Sequence, residues 1–218
     1  MSYEEQTKNA YRNKEKAAAY LSQYIEGTKW ARFTMWKQKR IVKNFMKACN
    51  FNENDVLLDA PCGTGYAGKI LFSEPCQVVA SDISLEMMEL ATNEYEQSKF
   101  LGFYQADITS TPFRESYFKC VLVLALMHRL PEDIRKLVLE EVHKISSEFA
   151  IISFSESSLV QDLKQKTISI IKKSHIPAPA SIPISTIEDE IKAAGFTILK
   201  RKNIFKFFSA KLVYLLKK

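Results

Sequence analysis

The stretch Val56-Leu57-Leu58-Asp59-Ala60-Pro61-Cys62-Gly63-Thr64-Gly65 decides how this chain folds. Three apolar residues ending on an acid read as a short strand. Glycines 63 and 65 follow it and precede a helical pattern that runs through Leu71. Glycine at such a turn lets the backbone approach a ligand closely, and the free N–H groups at a helix start face that ligand. The unit is therefore strand, tight loop, helix.

Similar units recur downstream. Val78-Val79-Ala80 is a second strand ending at Asp82, and Ser84 caps a helix with Met87, Met88, Leu90 and Ala91 inside it. Leu101 to Gln105 is a third strand, just before Asp107, and Cys120 to Ala125 is a fourth, apolar at nearly every position. Pro131 opens a helix to about Ile145, and Phe149 to Phe154 is a fifth strand. Strands alternating with helices at this spacing mean a parallel sheet with helices on both faces.

Upstream, Ala17, Ala18, Tyr20, Leu21, Tyr24 and Ile25 fall at helical spacing within 13–25. A second helix runs from about Trp30 to Cys49, with Ile41, Val42, Phe45 and Met46 on one face. After the fifth strand the rhythm breaks. A helix from about Leu159 to Lys173 leads into an extended segment, His175 to Pro183, whose three prolines exclude regular structure. Ser185-Thr186-Ile187-Glu188 has the form of a capping box opening a helix, which Gly195 ends. Phe196 to Lys202 and Lys211 to Leu216 are the last strands, joined closely enough to form an antiparallel hairpin at that end of the sheet.

Composition is compatible with one α/β domain. The 218 residues are 46% hydrophobic and 26% charged, an ordinary globular balance. The longest apolar run, Cys120 to Met127, is strand-sized, whereas a membrane helix needs roughly 18 such residues. The N-terminal MSYEEQTKNAYRNKEK has acids and no apolar core, so it does not read as an export signal. Cys49, Cys62, Cys76 and Cys120 lack metal-binding spacing; reduced thiols in a cytoplasm and no bound metal are expected. The net charge of +6 permits an anionic partner without requiring one.

Three acids sit at successive strand ends. Asp82 lies 23 residues beyond Asp59, where an acid can accept both hydroxyls of a ribose. Asp107 can face an adenine, since ligands of open α/β sheets bind at the carboxyl ends of the strands. The loop reads as lacking the full G-x-G-x-x-G/A order of dinucleotide sites, with proline at 61 and Gly68 as the third available glycine. A dinucleotide also needs a cradle for its pyrophosphate, whereas an acid before the loop favours a ligand carrying a cationic amino-acid group. No G-x-x-x-x-G-K-[ST] run is present.

With these residues in place, the chain resembles the class I methyltransferases that use S-adenosylmethionine (SAM). Asp59 to Gly65 resembles their first motif, Asp82-Ile83-Ser84 the second, Gln105 to Ile108 the third, and Val121 to Pro131 the segment after strand four. The resemblance runs from about Tyr11 to the C-terminus. Pro61 stands where the family usually has its first glycine and removes one N–H; small-molecule and glycan-associated bacterial members look similar here.

The resemblance implies a Rossmann-like, seven-stranded, mostly parallel sheet in one domain spanning 1–218. Residues 1–50 would be N-terminal helices acting as a lid, 51–154 the cofactor core, 155–183 an acceptor-side insertion, and 184–218 a helix and the strand hairpin. It also implies roles. Asp59 and the backbone of Ala60, Gly63 and Gly65 would hold the methionine moiety, with Pro61 contributing its carbonyl or shape. Asp82 would bind the ribose, with Ile83 and Met87 beside it. Asp107 and Ile108 would flank the adenine, and Leu124 and Ala125 would face the sulfonium end. His128 is a candidate general base, and Tyr11 and Tyr20 of the lid are further catalytic candidates; packing is the plainer alternative for all three. Arg32, Arg129 and His175 are candidates for contacting the acceptor, and His143 reads as structural. The basic tail, Lys200 to Lys218, reads as the solvated edge of two strands.

The expected reaction is an in-line displacement that methylates O, N or phosphate of a small-molecule, lipid or glycan acceptor, by a monomer or homodimer. No Asn/Asp-Pro-Pro-Tyr run follows strand four and no cysteine stands like the nucleophile of cytosine-C5 enzymes. Two alternatives stay open: an RNA methyltransferase, given the sequence pI of about 9.0, and a catalytically silent SAM-binding partner subunit. Exchanging residues 155–183 for the equivalent segment of another such enzyme is expected to change the acceptor and leave SAM affinity within about twofold. Calorimetry and a substrate screen check this, and lost SAM binding with unchanged acceptor choice would refute it.

Overall fold

Strands of near-continuous apolar sequence set the middle of the sheet. A computed structural model describes residues 28–95, 98–155, 182–205 and 209–218. Helix α1 (Lys29–Ala48) is followed by β1 (Val56–Asp59), the glycine loop, α2 (Gly68–Leu71), β2 (Gln77–Asp82) and α3 (Leu85–Ala91). A short 3₁₀ turn (Thr92–Glu94) leads towards β3 (Phe100–Gln105). Then come β4 (Phe118–Val123), a second 3₁₀ turn (Met127–Arg129), α4 (Glu132–Ile145), β5 (Ser146–Ser155), α5 (Ile184–Ala193), β6 (Thr197–Phe205) and β7 (Ser209–Lys217).

The strands form one sheet in the order β3-β2-β1-β4-β5-β7-β6. Pairs among β1 to β5 are parallel, and β7 runs antiparallel to both β5 and β6. Side chains alternate across a strand, so each central strand feeds two cores. Leu57, Cys120, Leu122, Ile151 and Val213 join Val42, Met46 and Leu71 on the face covered by α1 and α2. Leu58, Val121, Val123, Ile152 and Tyr214 join Val138, Val142, Ile187 and Ile191 on the face covered by α4 and α5.

Three details differ from the sequence reading. The capping box at Ser185 does not form. Pro183 is the N-cap, with φ −56° and ψ 140°, so Ser185 lies within the first turn. Its fixed φ and missing N–H place proline at a helix start without any side-chain cap, and Glu188 accepts a hydrogen bond from Arg201 at 2.6 Å instead. The last two strands are not both edges: β7 is interior, with Leu212 to Leu216 buried, and the exposed Lys200, Arg201 and Lys202 lie on β6. Strand four stops at Val123, two residues early. The expected helices over 13–25 and 159–173, and the proline-rich segment through 181, lie outside the described residues.

Helix α1 carries seven basic residues and no acid, exceeding by itself the net charge of the whole chain. Thr28 caps it by accepting from the Ala31 N–H at 3.2 Å. Among the described residues, no helix is long and apolar enough to cross a membrane.

A buried ion pair joins α4 to α5. The Arg135 guanidinium donates to both Glu190 carboxylate oxygens, at 2.9 and 2.5 Å, and to the Leu130 carbonyl at 3.0 Å. Removing one member of such a pair strands a buried charge and costs roughly 3–5 kcal/mol, whereas replacing both with apolar groups is often neutral. Glu190→Ala is therefore expected to destabilise the fold by about that amount in urea titration. The double variant Arg135→Met/Glu190→Met should recover most of the loss.

Candidate active site

A cleft opens where β1, β2, β3 and β4 end, lined by residues from 59–67, 81–87, 106–109 and 124–138. Its floor is the glycine loop, which is tied to the sheet on both sides. The Ala60 N–H donates to the Leu122 carbonyl at 3.0 Å and the Cys62 N–H to the Ser81 carbonyl at 2.8 Å. Gly63 adopts φ +53°, a conformation that favours glycine. Its N–H donates to Asp82 Oδ2 at 2.8 Å, while the Ser84 N–H donates to Oδ1 of the same carboxylate at 3.0 Å. Asp82 thus anchors the loop as well as closing β2. The carboxylate keeps acceptor capacity for a ligand hydroxyl.

The other two glycines serve packing. A Cβ on Gly65, at φ +83°, would sit 2.7 Å from Glu94 Cβ. A Cβ on Gly68 would meet the Glu94 backbone oxygen at 2.6 Å. Gly65 is not among the cleft-lining residues, whereas Gly63 is. Counted from Gly63, the glycines at 63, 65 and 68 do have the G-x-G-x-x-G spacing, which the count from Pro61 obscures. An acid at Asp82 suits a ribose in either class of ligand, so it is Asp59, beneath the loop, that favours an ammonium group over a pyrophosphate there.

Asp59 lies beneath the loop, 1% exposed. Burial pushes its carboxyl up to about 7; a hydrogen bond from Tyr95 opposes that rise, and neighbouring Asp82 adds to it. The Tyr95 hydroxyl donates to Asp59 Oδ2 at 2.5 Å. Tyr95 is itself fully buried, against Phe72, Phe100 and Phe103. Burial also raises Asp82, against the backbone N–H groups of Ser84, Gly63 and Ile83. The Cys62 thiol is pushed up by burial and by both acids.

The remaining cofactor candidates lie along the cleft. Ile83, Met87, Asp107, Ile108, Leu124 and Ala125 all line the cleft, with Ala60 and Pro61. Asp107 Oδ1 accepts from the Thr109 N–H at 3.0 Å and from its hydroxyl at 2.8 Å, holding the turn beyond β3. Ala125 has φ +57°, unusual without glycine, and its N–H is fixed by the Ser153 hydroxyl at 2.8 Å.

The catalytic candidates fare differently. His128 is on the 3₁₀ turn after β4 and is not among the cleft-lining residues; its neighbour Arg129 is. Burial and the charge of Lys211 push its imidazole down to about 4, leaving it neutral and weakly basic. Tyr11, Tyr20 and His175 lie outside the described residues, and Arg32 is exposed on α1. His143 stacks edge-on against Phe196, with ring centroids 5.0 Å apart, under Gly195. Sequence reasoning missed Cys62, Ser81 and Tyr66. Tyr66 lines the cleft and donates to the Met35 carbonyl at 3.0 Å, joining α1 to the site. Among the described residues no cluster of His, Cys, Asp and Glu is arranged to hold a metal.

Comparisons with known proteins agree on the fold. Residues 57–148, from β1 to the start of β5, match the family model described as Methyltransferase domain. Residues 57–148 of this chain are thus similar to a methyltransferase domain. The fold of this chain is shared with magnesium protoporphyrin IX methyltransferase from Synechocystis PCC 6803, solved with S-adenosylhomocysteine bound. That match has a TM-score of 0.77 at 15% identity and covers 100% of both chains. A SAM-dependent methyltransferase from Clostridium acetobutylicum ATCC 824 has a TM-score of 0.65 at 16% identity, over 94% of this chain and 99% of that one. One from Leishmania major has 0.75 at 12%, over 99% and 83%. A search of curated proteins finds no match.

The buried Asp59 has a consequence for the stability of the protein. A carboxyl whose pKa is higher folded than unfolded contributes stability that is complete below its unfolded value of 3.8 and is lost as pH rises through about 7. Compared with Asp59→Asn, the wild type is therefore expected to lose stability between those two values and level off above. Melting temperatures of both proteins across that range check the sign.

Proposed function

We propose that this methyltransferase methylates a small organic acceptor, with the amino-acid end of SAM over Asp59, its ribose on Asp82 and its adenine between Ile108 and Asp107. One observation carries the reading: three strand-end acids converge on one cleft, and one of them clamps the glycine loop. The donor set suits SAM, because the loop is flanked by acids that would attract an ammonium group, while Ile83, Met87 and Ile108 offer apolar walls for a purine and ribose. When bound, SAM supplies a methyl group already activated by its sulfonium sulfur. The chain's own part is alignment. Leu124 and Ala125, held by Ser153, shape the wall past β4 where the acceptor approaches. Proximity of this kind is worth several kcal/mol of the barrier without any proton transfer, and the low basicity of His128 favours such a route.

Support for a small acceptor comes from the similar folds. Besides the protoporphyrin enzyme, they include a protein solved in a study of echinomycin biosynthesis, at 17% identity and a TM-score of 0.61. Four buried, unbridged cysteines support a reducing, cytoplasmic setting. A second reading, an RNA acceptor, draws on the seven basic residues of α1; binding that collapses with added salt would favour it.

Calorimetric titration is expected to show SAM binding that Asp82→Ala weakens at least tenfold. That variant loses a charge-assisted bond worth about 1.5–3 kcal/mol together with the loop anchor. Labelled SAM and cell extracts should then yield a labelled small molecule. Absence of SAM binding by folded wild type would overturn the reading, and binding without turnover would identify a partner subunit.

A further inference from the structure

Tyr95 is absent from the cleft wall, yet its hydroxyl reaches the acid that the cofactor's amino-acid end would meet. It follows the 3₁₀ turn after α3, and three phenylalanine rings pack around it. The ring can hardly tilt, so the hydroxyl is delivered to one oxygen of Asp59 in a fixed place. Among the described residues, the groups that act on Asp59 are this phenol from the turn, the Asp82 carboxyl from β2 and the Cys62 thiol from the loop. None of the three is a cation. A buried carboxyl in such company takes up a proton rather than stay charged.

A cation entering the cleft reverses the balance, because an opposite charge within about 4–6 Å favours the ionised carboxylate. From this geometry we propose that Tyr95 is a positioning residue for the amino-acid end of the cofactor: its hydroxyl holds Asp59 behind the glycine loop, and the entering ammonium group displaces a proton from that carboxyl. The step balances simply. The Asp59 O–H bond breaks, its electron pair stays on the carboxylate, the proton leaves to solvent, and the ammonium arrives with its charge intact. The Tyr95 bond strengthens as the acid ionises, since a hydrogen bond to an anion is roughly twice as strong as one between neutral groups. The hydroxyl therefore favours the occupied state. A nucleoside without the amino-acid end gains nothing from this device, so the pair also selects for the complete cofactor. The inference rests on reading the cleft as a SAM site.

Two ligands separate the two ideas: SAM itself and 5′-methylthioadenosine, which keeps the nucleoside and lacks the amino-acid end. The full chain is titrated with each by calorimetry, in buffers of different ionisation heat, from about pH 5.5 to about pH 7, below the range near 7.7–8.0 where an α-amino group itself titrates. SAM affinity is expected to rise close to tenfold per pH unit, with nearly one proton released per SAM at the acid end. The affinity of 5′-methylthioadenosine should stay flat. Asp59→Asn should abolish the proton release. Tyr95→Phe keeps the ring packing and removes the donor, so it should move the SAM profile to higher pH and weaken SAM about tenfold near neutrality, with 5′-methylthioadenosine unaffected. SAM binding with a flat profile and no proton release, or a Tyr95→Phe profile that does not move, overturns the proposal while leaving the cofactor reading standing. Failure of both ligands to bind folded wild type would bring down the cofactor reading and this inference with it.

Discussion

The carboxylate of Asp82 is the point on which the cleft depends. It accepts the Gly63 N–H on one oxygen and the Ser84 N–H on the other. The first bond sets the path of the glycine loop, and the second turns the chain out of β2 towards α3, whose N-cap is Ser84. A loop without regular hydrogen bonding needs such an external acceptor to hold a single shape. Because Asp82 ends a strand with parallel neighbours on both sides, its position is inherited from the sheet. The fold thus transmits its rigidity to the ligand site through one side chain.

The sheet was legible because its signals are local and repeated. The apolar runs ending at Asp59 and Asp82, the cap at Ser84 and Gly195 beyond α5 each act within a few residues, and each stands where the pattern placed it. The position of β7 was not legible. A hairpin looks the same in sequence whichever of its strands pairs with the sheet, and only the burial of Leu212 to Leu216 on both faces distinguishes the arrangement. The capping box failed because Ser-x-x-Glu can occur by chance just inside a helix that a proline has already started.

The site was readable on its acidic side and opaque elsewhere. Acids at strand ends announce themselves, whereas Tyr95 touches Asp59 across 36 positions of sequence and belongs to no motif. The same holds for Ser153, which fixes Ala125 from the adjacent strand. His128 looked suitable from its place after β4, but burial and Lys211 remove much of its basicity. Chemistry that depends on a neighbour's field cannot be read from the spacing of one segment.

The distribution of charge has a further consequence. Since α1 alone carries more positive charge than the whole chain, the rest of the sequence carries a slight negative excess, and the positive excess is concentrated on one helix. In the electric field of a charged surface such an asymmetry produces a torque before any contact forms, which biases the orientation of the encounter. Tyr66 ties α1 to the cleft, so that orientation also fixes which way the cleft faces. The bias would fade as added salt shortens the screening length to below the size of the protein.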